Sequence, residues 1–133
     1  MKIVFLCVAN SARSQMAEGL ARALLDQNVQ ILSAGSKPAF VHPIAIEVMK
    51  ELGIDISKHR SKGVDELNLS DANYVITLCA DEVCPVFIGT ATKLHWPFAD
   101  PAAPEKSQPE QLDSFRSVRD QISDKIKAWS SQL

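Results

Sequence analysis

The segment Lys2 to Val8 (KIVFLCV) is apolar without a break after its first residue, as expected of a strand buried on both faces of a parallel sheet. Asn10 and Ser11 end it. From Ser14 onward Met16, Leu20, Ala23 and Leu24 recur at helical spacing, with Glu18 and Arg22 as an i,i+4 pair expected on the outer face. A strand thus feeds a helix through a tight turn. Val29 to Ser33 (VQILS), closed by Ala34-Gly35, predicts a second strand. His42-Pro43 opens a second helix carrying Ile46, Met49 and Leu52, with Pro43 in its first turn and Gly53 at its end. Tyr74 to Cys79 (YVITLC) predicts a third strand, and Lys93 to Phe98, broken by Pro97, a short fourth. The stretch 80–92 between them fits either a helical turn or a loop. Asp100 to Gln108 is Pro-rich and polar, hence a surface loop. From Pro109 the apolar positions Leu112, Phe115, Val118, Ile122, Ile126, Trp129 and Leu133 follow at spacings of three or four, predicting a long amphipathic helix that covers the sheet.

Strands alternating with helices imply an α/β fold: one domain over residues 1–133, a three-layer sandwich with a central four-stranded parallel sheet flanked by helices. A chain of 133 residues, 46% hydrophobic and 23% charged, fits one compact core. The formal net charge of -2 supplies no basic field for nucleic acid or a membrane surface, so any anion must be held locally. The apolar run at the amino terminus is too short for a signal peptide and no stretch approaches a membrane span, which leads to the expectation of a cytoplasmic protein. Three cysteines without an export signal argue for thiol chemistry or burial and against a disulfide framework.

In sheets of this kind ligands bind beyond the carboxyl ends of the strands. Cys7, Cys79 and Asp100 all fall at or just after predicted strand ends. Cys7 is followed after five residues by Arg13, between a strand and a helix. A loop of that length can turn backbone N–H groups from Ala9, Asn10, Ser11, Ala12, Arg13 and Ser14 inward as an anion nest, with the positive end of the helix dipole behind them. Arg13 can set a planar fork of donors against two oxygens of a tetrahedral oxyanion. The same groups favour the thiolate of Cys7, and Ser14 is close enough to donate to it. Most isolated cysteines are simply buried small hydrophobes, but this company makes Cys7 a nucleophile.

Cys79 and Cys84 are five positions apart and could lie on adjacent turns of a helix, where a disulfide would require local rearrangement. A redox relay, plain packing and zinc are the three readings. Zinc is disfavoured because His95 is the one imidazole nearby, and neither a metal nor a cofactor is expected. Asp100, before Pro101, could protonate a leaving oxygen at the thiolate site, although Asp-Pro alone usually marks a turn.

Together these residues resemble the thioredoxin-coupled arsenate reductases, which share a fold and an oxyanion loop with low-molecular-weight protein tyrosine phosphatases. CVANSARSQMAEG at Cys7 to Gly19, SAG at Ser33 to Gly35, HP at His42-Pro43, LGIDIS at Leu52 to Ser57, VITLC at Val75 to Cys79 and HWPFADP at His95 to Pro101 match in order over nearly the whole chain. The resemblance implies a monomer that binds arsenate, with phosphate or sulfate as analogues, and takes electrons from thioredoxin. It implies attack by Cys7 on arsenate held by the loop and Arg13, with Asp100 assisting loss of water. Cys79 then attacks Cys7, releasing arsenite, and Cys84 moves the disulfide to the Cys79 to Cys84 segment. Here four residues separate that pair, fewer than in the family. Asn10, Glu18 and Ser33 match three positions that bind potassium in some relatives, and Lys62 stands where the fourth is acidic. Its ammonium could replace the cation, which predicts activity insensitive to potassium; the alternative is a solvated surface lysine.

A phosphatase would use the same loop, so weak phosphatase activity is expected in either case. That rival has no use for Cys79 and Cys84, and no aromatic-rich rim is evident in a chain with one Tyr. A non-catalytic oxyanion-binding or thiol-sensing module is the second rival, and retention of nucleophile, Arg and acid together weighs against it.

Overall fold

The computed structural model describes residues 1–80, 89–102 and 107–133. They form four strands, β1 (Lys2–Cys7), β2 (Gln30–Gly35), β3 (Tyr74–Thr77) and β4 (Thr92–His95), and three α-helices, α1 (Arg13–Leu24), α2 (Pro43–Lys50) and α3 (Gln108–Ser130). All strand pairs are parallel, in the order β2-β1-β3-β4. The chain leaves β1 for β2 on one side and returns to pair β3 on the other. That reversal opens a crevice at the carboxyl end of β1, where Cys7 stands.

Every residue of β1 is buried, as its unbroken apolar run requires. Ile3 and Phe5 join a core built with Met16 and Leu20 of α1, Val48 and Met49 of α2, and Phe115, Ile122 and Ile126 of α3. Val4 and Leu6 face the other way, onto Leu69, Ala72 and Val75. The sheet therefore lies between a helical layer and the segment 64–72, which opens with a 3-10 turn, Val64–Glu66.

The strands are shorter or shifted relative to the sequence pattern. β3 stops at Thr77, and β4 runs Thr92–His95, so Trp96 to Phe98 lie past its end, where Trp96 N still donates to Thr77 O and Phe98 N to Leu78 O. α3 begins at Gln108 because the Ser107 side chain accepts from Glu110 N and caps it, with Pro109 in the first turn. Leu133 lies past its end and is exposed. Gly53, at φ 76°, closes the turn after α2 and leaves Leu52 outside that helix and exposed.

The buried face of α1 differs from the expected one. Arg13 to Ala21 are buried on all sides, while Ala23 and Leu24 are exposed. The helix start is wedged beneath other elements, so closely that a Cβ on Gly19 would come 2.8 Å from Ile56, and only its last turn reaches solvent. Glu18 is consequently not on an outer face but 3% exposed. No helix among the described residues is long and apolar enough to cross a membrane.

Candidate active site

Cys7 ends β1 and is followed by five residues of irregular backbone, 8–12, before α1. Cys7, Ala9, Ser11, Ala12, Arg13, Asp100 and Ala102 line one small cavity of about 130 Å³. Two larger hollows, each of about 330 Å³, lie along α2, and neither is lined by a cysteine. Ala12 caps α1 without a side-chain hydrogen bond, so the amino end of the helix is left open at the cavity. Arg13 is buried and donates from Nη1 to the Phe98 carbonyl at 2.9 Å, which ties the loop to the chain leaving β4. That chain delivers Asp100, exposed, with one carboxylate oxygen accepting from Ala102 N at 3.0 Å.

Asn10 and Ser14, whose backbone N–H groups are expected to face the anion, have fully buried side chains. Asn10 adopts φ 48°, a left-handed conformation that asparagine tolerates better than most residues. Its side chain is fully used. Nδ2 donates to Ser14 Oγ at 2.8 Å and Ser33 Oγ at 3.0 Å, while Oδ1 accepts from Lys62 N at 2.8 Å and Gln15 Nε2 at 2.9 Å. Ser14 Oγ, with a lone pair occupied by Asn10, sits 2.9 Å from Cys7 Sγ and is oriented to donate to a thiolate.

The network continues outward. Ser33 Oγ donates to Glu18 Oε1 at 2.6 Å. Glu18 is met by Arg22 at 3.2 Å, by His59 at 3.5 Å and by the Lys62 ammonium at 3.7 Å. Asn10, Glu18, Ser33 and Lys62 are thus brought together. Lys62 is not a solvated surface lysine: its side chain is 13% exposed, and its ammonium also donates to the Arg60 carbonyl. Burial lowers the Lys62 pKa, with the Glu18 charge pulling it back up. Burial likewise lowers His59, opposed by Glu18. Among the described residues no group of three or more His, Cys, Asp or Glu could hold a metal ion.

Cys79 is buried just past β3, beside the end of β1, where Leu78 N donates to Leu6 O at 2.9 Å. It is not part of the cavity wall. Cys84 and most of the segment 80–92 lie outside the described residues.

Several contributors act at the loop in ways that the sequence pattern did not convey. Gly35 is one: a Cβ there would lie 2.3 Å from the Val8 carbonyl oxygen and 2.8 Å from Asn10 N, so β2 can abut the loop only with glycine. His42 is another. Its backbone N–H donates to Ser11 O at 3.0 Å, its ring Nδ1 accepts from Ile44 N at 3.1 Å as the cap of α2, and burial lowers its pKa against the opposing charge of Asp100. Phe40, 57% exposed, stacks on the His42 ring at 5.9 Å. Phe40 and His42 thus stand on the segment that is hydrogen-bonded to the loop through Ala39 N and His42 N, and neither lines the cavity.

Residues 2–133 match the low-molecular-weight phosphotyrosine protein phosphatase family. The chain belongs to that family. An arsenate reductase from Halalkalibacterium halodurans is 43% identical over 130 residues, covering 96% of this chain and 94% of the relative. Among solved structures, an arsenate reductase in a phosphate-binding state aligns with a TM-score of 0.82 at 33% identity, over 99% of this chain and 98% of the other. A thioredoxin-dependent arsenate reductase from Corynebacterium glutamicum aligns with a TM-score of 0.69 at 29% identity, over 99% of this chain and 63% of its own.

Proposed function

We propose that the protein reduces arsenate to arsenite through a relay of three thiols regenerated by thioredoxin. The observation that carries this reading is that Cys7, Arg13 and Asp100 line one cavity of about 130 Å³ at the open end of α1. A thiol at the floor, a guanidinium at the wall and a carboxyl group at the mouth match a nucleophile, an oxyanion clamp and a proton donor. Likeness to arsenate reductases along the full chain, one of them in a phosphate-binding state and another thioredoxin-dependent, supports the substrate and the reductant.

In the first step the Cys7 thiolate attacks arsenic, and Asp100 gives its proton to the departing hydroxyl, which leaves as water. Asp100 is exposed and regains a proton from solvent. The Cys79 thiolate then attacks Cys7 Sγ. The sulfur–arsenic bond breaks, its electron pair stays on arsenic, and arsenite departs from a Cys7 to Cys79 disulfide. Attack by Cys84 on Cys79 frees Cys7, and thioredoxin reduces the Cys79 to Cys84 disulfide by ordinary thiol exchange. Lys62 supplies the positive charge beside Glu18, so turnover does not need potassium. The same pocket supports slow hydrolysis of an aryl phosphomonoester.

The test is NADPH oxidation coupled through thioredoxin and its reductase, with arsenate as acceptor, run beside hydrolysis of an aryl phosphate. Cys7→Ser is expected to abolish both. Cys79→Ser is expected to abolish the first alone. Arsenate-dependent turnover that survives Cys79→Ser would overturn the relay.

A further inference from the structure

We infer that Ser61 is a positioning residue for the anion cavity: its hydroxyl pins the Ala9 carbonyl to the outside of the loop, an inference that rests on the loop being the oxyanion site. Ser61 belongs to a strap, residues 60–63, laid along the end of β2. The strap is fastened on both sides of Ser61. Gln15 Nε2 donates to Arg60 O at 3.1 Å, Lys62 N donates to Asn10 Oδ1 at 2.8 Å, Gly35 N donates to Lys62 O at 2.9 Å, and Gly35 bridges to Gly63. From this fixed base Ser61 Oγ donates to Ala9 O at 2.9 Å. Ala39 N donates both to Ser61 Oγ at 3.0 Å and to Ala9 O at 3.1 Å, and by filling a lone pair of the hydroxyl it directs the Ser61 proton towards Ala9.

Ala9 lines the cavity, and the next residue, Asn10, is left-handed. The bonds that hold the Asn10 side chain do not fix the peptide plane before it. Rotation about Ala9 ψ and Asn10 φ can flip that plane while leaving both side chains in place. A flipped plane would turn the Ala9 carbonyl dipole towards a bound anion and withdraw an N–H from it. Among the described residues the Ser61 hydroxyl is the side-chain contact that opposes the flip, beside the Ala39 N–H.

The role is conformational, so it weakens binding in proportion to the competent fraction and leaves the saturated state intact. Ser61→Ala and Ser61→Val should weaken inorganic phosphate binding, read by calorimetry, about 5- to 10-fold, the worth of one hydrogen bond. The KM for arsenate should rise equally, with kcat and the urea midpoint close to wild type. Ser61→Thr, which keeps the hydroxyl and nearly matches Val in shape, should bind phosphate like wild type. Phosphate affinity unchanged in Ala and Val, or lost equally in Thr, would overturn the role of Ser61. Wild-type protein that failed to bind phosphate at all would instead remove the reading of the loop, and the role of Ser61 with it.

Discussion

The Ser14 hydroxyl lies 2.9 Å from the Cys7 sulfur, in a site where both side chains are buried. Because Asn10 donates to that hydroxyl, its proton is free to face sulfur. A hydrogen bond to a charged partner is worth about 1.5–3 kcal/mol, so Ser14→Ala should slow iodoacetamide alkylation of Cys7 at neutral pH by roughly 10-fold or more. Unchanged alkylation would mean that Ser14 does not stabilise the thiolate.

Asp100 reaches the cavity without helping to build its anion-holding wall from the β1 side. Asp100→Asn should therefore leave phosphate affinity nearly intact while lowering arsenate turnover by about 10²–10⁴-fold, the usual contribution of a general acid. Steady-state kinetics beside calorimetry separate the two effects.

Gly35→Ala places a methyl group 2.3 Å from the Val8 carbonyl, a backbone atom that cannot swing aside. The loop must shift, with an expected loss of about 1–3 kcal/mol in urea unfolding. Phosphate-induced stabilisation should disappear as well.

Glu51 joins the end of α2 to α3, accepting from Arg116 and Arg119. Hydrogen bonds from these two guanidinium groups lower its pKa to about 2. A carboxylate lowered in the folded state stabilises the protein above its unfolded pKa, near 4.5, and that contribution is lost as pH falls towards 2. Glu51→Gln should reduce stability at neutral pH and flatten the fall in melting temperature across that acid range.

Lys62 puts an ammonium 3.7 Å from the buried Glu18 carboxylate. Exchange of sodium for potassium chloride at constant ionic strength should leave wild-type kcat/KM unchanged, whereas Lys62→Asp should make it respond to potassium. Stimulation of the wild type by potassium would show that Lys62 does not fill that role.

The strand–loop–helix unit was legible in the sequence because its signals are local: an unbroken apolar run, then polar loop residues, then helical periodicity. Cys7, Arg13 and Asp100 could be nominated for the same reason, since each follows a strand end and the ends of parallel strands share one edge. What spacing could not convey was which side of α1 is buried. Glu18 paired with Arg22 reads as a surface ion pair, yet the strap 60–63, far away in sequence, closes over it and makes it interior. Gln15, His59 and Ser61 were missed on the same ground, being ordinary polar residues until folding lays Gln15 against Asn10, His59 against Gln15 and Glu18, and Ser61 against Ala9. The left-handed backbone at Asn10 follows from that network as much as from the residue itself.

A single turnover tests the thiol relay most directly. Fully reduced protein is mixed with excess arsenate in the absence of thioredoxin, and arsenite, free thiols and disulfide-linked peptides are measured. One arsenite per chain, with loss of two thiols and a disulfide joining Cys79 to Cys84, is the expected result. Retention of all three thiols with no arsenite formed would contradict resolution of the Cys7 adduct by a second cysteine.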